Sequence, residues 1–283
     1  MLKVGFDLGF GWTKVCTDSG ECFKFPSWLA YHSNTAISDV DKVLVDGREY
    51  VVGEDAKYER QRINITGIEE LLNYFSVFKK YALERLGVKE NEVQIITGLP
   101  PIHREKAVVL EKQGAVVLPQ GLGIYLDVQD KINADEVLII DVGFNTVDYI
   151  VSVKGRRKKG DTIEKQGIER MIELFRNKLP DSLGYLKQFP FQRLMEVFEK
   201  GFAVVEGERI ELNAYKEKAI EEYNEVLRTR LKGEIGNLID EIEQIVIAGG
   251  GAYYLKNIRK AGIYIPEKPE FSQARGYVKF ELE

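Results

Sequence analysis

The sequence predicts an α/β protein made of two copies of one unit, and three observations carry that reading. Asp7-Leu8-Gly9-Phe10 recurs almost unchanged as Asp141-Val142-Gly143-Phe144. Each copy ends an apolar run, Leu2-Lys3-Val4-Gly5-Phe6 in the first case and Val137-Leu138-Ile139-Ile140 in the second, and each is followed by a further β-rich run. The order strands, helix, strand, helix then repeats in both halves, as an internal duplication of an α/β unit requires. The expected domains are 1–132, with a small insert at about 27–66, and 133–283, with a small insert at about 180–213.

In the first half, residues 2–10, 12–18 and 22–26 read as a three-stranded meander. Lys42–Val45 and Arg48–Val52 form a hairpin around Asp46-Gly47, a dipeptide suited to the two positive φ angles of a type I′ turn. Leu71, Leu72, Phe75, Phe78 and Leu83 recur at helical spacing and predict a helix over 68–86 capped by Gly87. A buried strand over 93–97, a short helix over 104–112 and a strand over 115–118 follow. A helix is expected to start near Pro119-Gln120, where proline suits the first turn.

In the second half, strands are expected at 137–141, 146–153 and near 161–165, and helices at 168–179, 191–199 and about 214–232. A hairpin at 202–205 and 209–212 turns at Glu206-Gly207. Gln244–Ala248 reads as a buried strand that opens into Gly249-Gly250-Gly251 and a helix.

Composition narrows the function. The chain carries 40 Lys and Arg against 45 Asp and Glu, net −5, which argues against a nucleic-acid surface as the main task. Arg156-Arg157-Lys158-Lys159 reads as a solvated turn. No apolar run reaches the roughly 20 residues of a membrane helix, and the opening residues predict a strand rather than a secretory leader. A two-residue loop around Asp18-Ser19-Gly20 sets Cys16 opposite Phe23 and Cys22 opposite Thr17, so reduced thiols and a cytoplasmic, reducing compartment are expected. Abundant Glu and Lys beside three Met and two Cys hint at a thermophile.

Three segments carry candidate chemistry. In the first turn, Gly9 and Gly11 allow backbone N–H groups to approach an anion, and Lys14 adds a positive charge. Asp7 beside a phosphate needs an intervening cation, for which Mg²⁺ held through water is the usual choice. In the second turn, Asp141 is a second metal candidate and Asn145 and Thr146 offer polar groups to phosphate oxygens, while Asp148 reads as a brace of the turn. The third segment is Gly249-Gly250-Gly251-Ala252, where three glycines between a strand and a helix let backbone lie against a ligand. No Gly-Lys-Ser/Thr follows it, so it is not a Walker loop. Two facing hairpins of this kind are expected to flank one cleft suited to a polyphosphate and its metal ion.

Together these segments resemble the superfamily that joins actin, the heat-shock chaperone ATPases and the sugar kinases. The two Asp-x-Gly-Phe hairpins are similar to its two phosphate loops and 245–252 to its adenosine loop. Pro119-Gln120-Gly121-Leu122-Gly123 resembles its first connecting helix and Phe271-Ser272-Gln273-Ala274-Arg275-Gly276-Tyr277 its second. The five elements fall in the family order over the whole chain. The resemblance implies two duplicated actin-like (RNase H-like) domains flanking a nucleotide cleft, with the C-terminal helix, about 271–283, packing back on the first domain.

The same resemblance implies ATP or GTP with Mg²⁺ as cofactors. It implies Gly9, Phe10, Gly11, Trp12, Thr13, Lys14, Gly143, Asn145, Thr146, Gly167, Gly249, Gly250, Gly251 and Ala252 as nucleotide contacts, and Asp7 and Asp141 at the metal. Gln120 stands where actin-like members orient the attacking water; capping the helix is the alternative. Gly167 falls where the family brings backbone near the ribose, and a tight turn explains it equally well. Phe10 departs from eukaryotic actin, which has a small hydroxyl residue there, so only its backbone N–H is left to meet the γ-phosphate.

The lean inserts resemble the plasmid-segregation actins (the ParM-like group) and the short archaeal actin-like ATPase rather than sugar kinases. That resemblance implies a cytoplasmic ATPase that forms filaments with itself and moves DNA through an adaptor protein, without direct nucleic-acid or membrane contact. The rivals are a non-polymerising small-molecule kinase of the same superfamily, with Asp7, Asp141 or Asp148 as general base, and a nucleotide switch without filaments.

Overall fold

The computed structural model describes residues 1–33, 40–255 and 262–281. Residues 34–39 of the first insert, 256–261 of the helix expected after the triple glycine, and 282–283 lie outside the described residues. Two compact units divide the chain: 1–133 with 266–283, and 134–265.

In the first unit, β1 (Leu2–Leu8), β2 (Trp12–Thr17) and β3 (Cys22–Pro26) form the expected meander. The insert is richer than one hairpin. β4 (Leu29–Tyr31), β5 (Lys42–Val45), β6 (Arg48–Val52) and β7 (Gln61–Ile63) make a four-stranded sheet in the order β5-β6-β4-β7. The two extra strands are three residues each, too short for their alternation to stand out. Asp46 and Gly47 have φ of 50° and 75°, the predicted turn.

The helix expected over 68–86 is broken in two, α1 (Ile68–Asn73) and α2 (Phe75–Leu86). The cause is Gln113, whose amide enters the helix ladder at the break: it donates to the Leu72 carbonyl at 3.1 Å and accepts from the Ser76 N–H at 2.9 Å. Gly87 closes α2 with φ of 68°. β8 (Val93–Leu99), α3 (Ala107–Glu111), β9 (Ala115–Pro119) and α4 (Leu122–Val128) follow. Pro119 does not open the helix. It ends β9 opposite Leu99, the Gln120 N–H bonds the Leu99 carbonyl, and Gly121 at φ 88° makes the corner into α4.

The second unit opens with β10 (Glu136–Val142), β11 (Val147–Val153) and β12 (Arg156–Ile163). The basic run is therefore half of a strand rather than a turn. The turn is Lys154-Gly155, with φ of 50° and 70°, which moves the start of β12 five residues before the expected 161. α5 (Ile168–Lys178), α6 (Gly184–Lys187), α7 (Phe191–Lys200), the hairpin of β13 (Phe202–Val205) and β14 (Glu208–Glu211), and α8 (Asn213–Ile235) follow. β15 (Gln244–Ala248) and β16 (Ile263–Tyr264) complete the unit, and α9 (Ser272–Tyr277) belongs to the first unit. α9 is shorter than the helix expected over 271–283.

The duplication is explicit in the sheets. One runs β3-β2-β1-β8-β9 and the other β12-β11-β10-β15-β16, each an antiparallel meander extended by two parallel strands. The first unit's core gathers Val4, Phe6, Phe75 and Phe78, and the second's Ile140, Tyr149, Phe175 and Tyr223.

The cysteines overturn the expectation of free thiols. Thr17 bonds Glu21 across a three-residue loop, 18–20, with Gly20 at φ 94°. The extra loop residue shifts the register by one, sets Cys16 directly opposite Cys22, and the two form a disulfide. It packs against Phe271 and Ala274 of the C-terminal segment.

That segment crosses the sheet at backbone contact, and glycines make the contact possible. A Cβ on Gly276 would fall 1.5 Å from the Gly123 carbonyl oxygen on α4, and one on Gly5 would fall 2.0 Å from the Ala274 oxygen. Gly276→Ala is therefore expected to cost about 3 kcal/mol of stability. Gly184→Ala, where a Cβ meets nothing within 4 Å, is expected to change it by less than about 1 kcal/mol. Thermal melts of the two variants check the contrast, and equal melting temperatures contradict it.

Candidate functional site

Each repeated acid ends the central strand of its sheet, and the turn after it is built the same way twice. The Gly9 N–H bonds the Trp12 carbonyl at 3.2 Å, and the Gly143 N–H bonds the Thr146 carbonyl at 3.0 Å. The two registers also correspond: Asp7 lies opposite Lys14, and Asp141 opposite Asp148.

The scaffold ties down two carbonyls of the first turn, those of Gly9 and Gly11, and three of the second, those of Gly143, Phe144 and Asn145. In the first, the Ser27 hydroxyl donates to Gly9 O at 2.6 Å and the Ser27 N–H to Gly11 O at 3.1 Å. In the second, the N-terminus of α5 does the same work. The N–H groups of Gly167, Ile168 and Glu169 donate to the carbonyls of Asn145, Gly143 and Phe144 at 3.1, 3.0 and 2.9 Å. Gly167 must be glycine for this approach, since a Cβ there would sit 2.3 Å from Phe144 O. With the carbonyls held, the N–H groups of Phe10 and Gly11, and of Phe144, Asn145 and Thr146, have no hydrogen-bond partner among the described residues. Both tips are partly solvent-accessible, so each offers a small cluster of donors to an anion.

The side chains make the two turns unequal. Asp7, 7% exposed, takes an ion pair from Lys14 at 2.9 Å. Lys14 thus neutralises Asp7 from within its own hairpin. Asp141 and Asp148, 9% and 5% exposed, face each other instead. Asp148 accepts from Thr162 Oγ1 at 2.5 Å and from Thr146 Oγ1 at 3.3 Å, so it braces the turn as expected, and the Thr146 hydroxyl is spent on it. Asn145 remains at the tip.

Other expected contacts serve the scaffold. Thr13 is fully buried and bonds Ser27 Oγ at 2.9 Å. The Phe10 ring packs on the first unit's core, and Lys24 sits 5.2 Å from the Trp12 ring. The triple glycine seats β15 on the second turn. A Cβ on Gly249 would lie 2.4 Å from Asp141 Oδ1, one on Gly251 2.2 Å from Val142 Cγ1, and the Gly251 N–H bonds Val142 O. Ala252 is buried in a short 3-10 turn, Ala252–Tyr254, so the described residues contain no helix N-terminus there.

Gln120 lies in the corner before α4, partly exposed, with no hydrogen bond to its side chain among the described residues. It is not the cap of α4. That role belongs to Gln273, nine-tenths buried or more, whose Oε1 accepts from the Gly121 and Ile124 N–H groups, each at 3.2 Å. The capping role of Gln273 and the tethering role of Ser27 left no sign in the sequence, because their work is contact with backbone distant in sequence. In the second unit, Tyr223 Oη on α8 donates to the Gln166 carbonyl at 2.5 Å, and burial pushes that hydroxyl's pKa well up. Lys216, two turns earlier on the same face, is pushed down by burial and lies 5.2 Å from the Phe198 ring and 5.9 Å from that of Tyr254. α8 thereby closes over the segments that lead into Gly167 and out of Gly251.

Family models match the two halves in turn: residues 5–113 match the actin-like protein N-terminal domain, and 139–260 the C-terminal domain of the archaeal MreB-like actin homologues. The chain belongs to the actin-like ATPase superfamily. Solved structures agree in fold over both chains' full length. An archaeal actin homologue is 19% identical with a TM-score of 0.82, covering 98% of each chain. The same homologue in complex with ADP is 18% identical with a TM-score of 0.77 at the same coverage. A ParM from Clostridium botulinum, seen in a 15-stranded filament, is 21% identical with a TM-score of 0.80, again covering 98% of each. No match is found among curated proteins. In this actin-like chain no helix of the described residues is long and apolar enough to cross a membrane.

The Ser27 contacts generate a prediction. Ser27→Ala leaves Gly9 O and Thr13 Oγ1 without their partner and is expected to cost about 1–3 kcal/mol. Urea unfolding of the variant measures this, and an unchanged midpoint contradicts the tethering role.

Proposed function

We propose that the protein binds ATP with Mg²⁺, hydrolyses it, and assembles with itself into filaments that act in DNA segregation or a related cytoskeletal task. The observation that carries the nucleotide reading is the pair of turns with tethered carbonyls and unpartnered N–H groups. Such donors suit phosphate oxygens, which need several fixed dipoles and no side-chain rearrangement. The Asp7–Lys14 pair keeps the first turn from repelling a polyanion, and Asp141 is the carboxylate that suits a divalent cation. Mg²⁺ is typically held by one or two carboxylates, waters and phosphate oxygens, so a single acid with a braced neighbour fits it. When bound, the ion would neutralise charge developing on the phosphate oxygens.

Gln120 is the residue we assign to orienting the attacking water. An amide cannot remove a proton strongly, but it can hold water in line with the terminal phosphate. The lack of a side-chain hydrogen bond among the described residues and the corner that Gln273 braces beside it support that role. Gly249–Gly251, Gly167 and the α8 face around Lys216 are assigned to the nucleoside. The filament reading rests on likeness in fold to a ParM seen as a filament. ADP as the product nucleotide rests on the archaeal homologue's complex. An adaptor would link the filament to DNA.

Three measurements test the reading. Light scattering after addition of ATP and Mg²⁺ should rise and then fall as phosphate is released. A flat signal over a range of protein and salt concentrations, with phosphate transferred to a small alcohol, would support the kinase rival. Gln120→Ala should slow hydrolysis on the order of 10²-fold while nucleotide affinity stays nearly unchanged; equal losses of both would make Gln120 structural. Asp141→Asn should weaken Mg²⁺-dependent binding and turnover together, and an unaltered Mg²⁺ titration would remove Asp141 from the metal.

A further inference from the structure

The second sheet ends in an edge strand of unusual charge. β12 is the outermost strand in the order β12-β11-β10-β15-β16, paired on one side only. Lys154, Arg156, Arg157, Lys158 and Lys159 occupy its turn and first half, and all five are exposed. No ion pair among the described residues reaches any of them, although many other lysines of this chain are paired with carboxylates. Two have backbone partners instead. Arg157 donates to the Gly160 carbonyl at 3.0 Å, and Lys159 donates to the Glu234 carbonyl near the end of α8. A bulge between Val151 and Ser152 in the β11–β12 register leaves Lys158 without an opposite residue.

We propose that the basic half of β12 is a docking edge for an acidic, extended segment of a partner protein, which adds to the sheet as a further strand. Two demands meet at this place. The free edge offers backbone N–H and C=O groups that another polypeptide strand can pair with. The five cations offer a field that an acidic strand satisfies through alternate side chains. Charged side chains, lysine above all, keep an edge from pairing with its own kind. Five cations within six residues, without carboxylate partners among the described residues and in a chain of net charge −5, do more than repel a like strand.

A nucleic acid could satisfy the charges but not the backbone edge. The segment 154–163 also has no aromatic side chain on which bases could stack, the usual companion of a basic single-strand site. The Arg157 guanidinium covers the Gly160 carbonyl and has to swing aside as a strand seats, which makes it the movable part of the edge.

Fluorescence anisotropy on the full chain tests this, with a labelled octapeptide of alternating Glu and Val as probe. The variant R156Q/R157Q/K158Q leaves Lys159 on the end of α8, and circular dichroism establishes that it is folded. The peptide should bind the parent, bind at least tenfold more weakly to the variant, and lose a similar factor when alternate peptide nitrogens are methylated. Absence of binding to the parent overturns the proposal, as does equal binding by the methylated peptide, which would leave only charge attraction. Tighter binding of a short DNA duplex makes the edge a nucleic-acid surface and overturns it too. If the variant stops self-association in sedimentation while peptide binding is unchanged, the occupant is a second copy of this chain, and the proposal fails.

Discussion

The nucleotide reading of this chain depends on how its two Asp-x-Gly-Phe turns spend their carbonyls. A turn tip has donors and acceptors in equal number, and left alone it has no preference for anions. Here Ser27 holds the Gly9 and Gly11 carbonyls, and the first residues of α5 with Gly167 hold those of Gly143, Phe144 and Asn145. In the second turn only N–H groups remain at the tip, and in the first the N–H groups of Phe10 and Gly11 remain beside the one untethered carbonyl of Phe10, so the balance at each tip shifts toward donors. The two solutions differ in chemistry, a single serine in one unit and a helix N-terminus in the other, yet give the same polarity.

The duplication stops at the position across the strand. Lys14 and Asp148 occupy equivalent registers opposite the repeated acids. In the first hairpin the acid is neutralised within the protein. In the second, two near-buried carboxylates lie side by side, one of them quenched by two threonine hydroxyls. A duplicated scaffold therefore carries one turn whose acid is neutralised by a lysine and one whose acid lies beside a second carboxylate, and the metal ion is proposed for the latter. The glycines around them are mostly devices of packing. Gly249 and Gly251 let β15 lie on Asp141 and Val142, and Gly123 and Gly276 let α4 and α9 cross at backbone contact.

Much of this was legible in the sequence because it is local. The repeated motif, the Asp46-Gly47 turn, the Gly87 cap and the apolar strands rest on residues within a few positions of one another. What escaped depends on distant partners or on a single residue of register. One residue more in the loop at 18–20 turned two separated thiols into a cross-strand disulfide. Gln113 broke a helix whose periodicity runs through the break, by inserting from 37 residues beyond Ser76. Lys154-Gly155 made a turn where the eye falls on the basic run that follows, and Pro119 ended a strand where its fixed φ also suited a helix. Ser27 carries no motif at all, and Gln273 stood out only as part of a family-like segment, since a hydroxyl or amide bonded to remote backbone leaves no pattern along the chain that names its role.

The central proposal is that each turn receives phosphate oxygens of a nucleotide through its own backbone N–H groups. Two-dimensional amide NMR of the ¹⁵N-labelled protein, with a slowly hydrolysed ATP analogue and Mg²⁺ added, tests it most directly. The account predicts large shifts and slowed hydrogen exchange at the amides of Phe10 and Gly11 and of Phe144, Asn145 and Thr146, with the Gly9 and Gly143 amides, already bonded within their turns, little changed. Saturating nucleotide that leaves either set of tip amides unperturbed would contradict it.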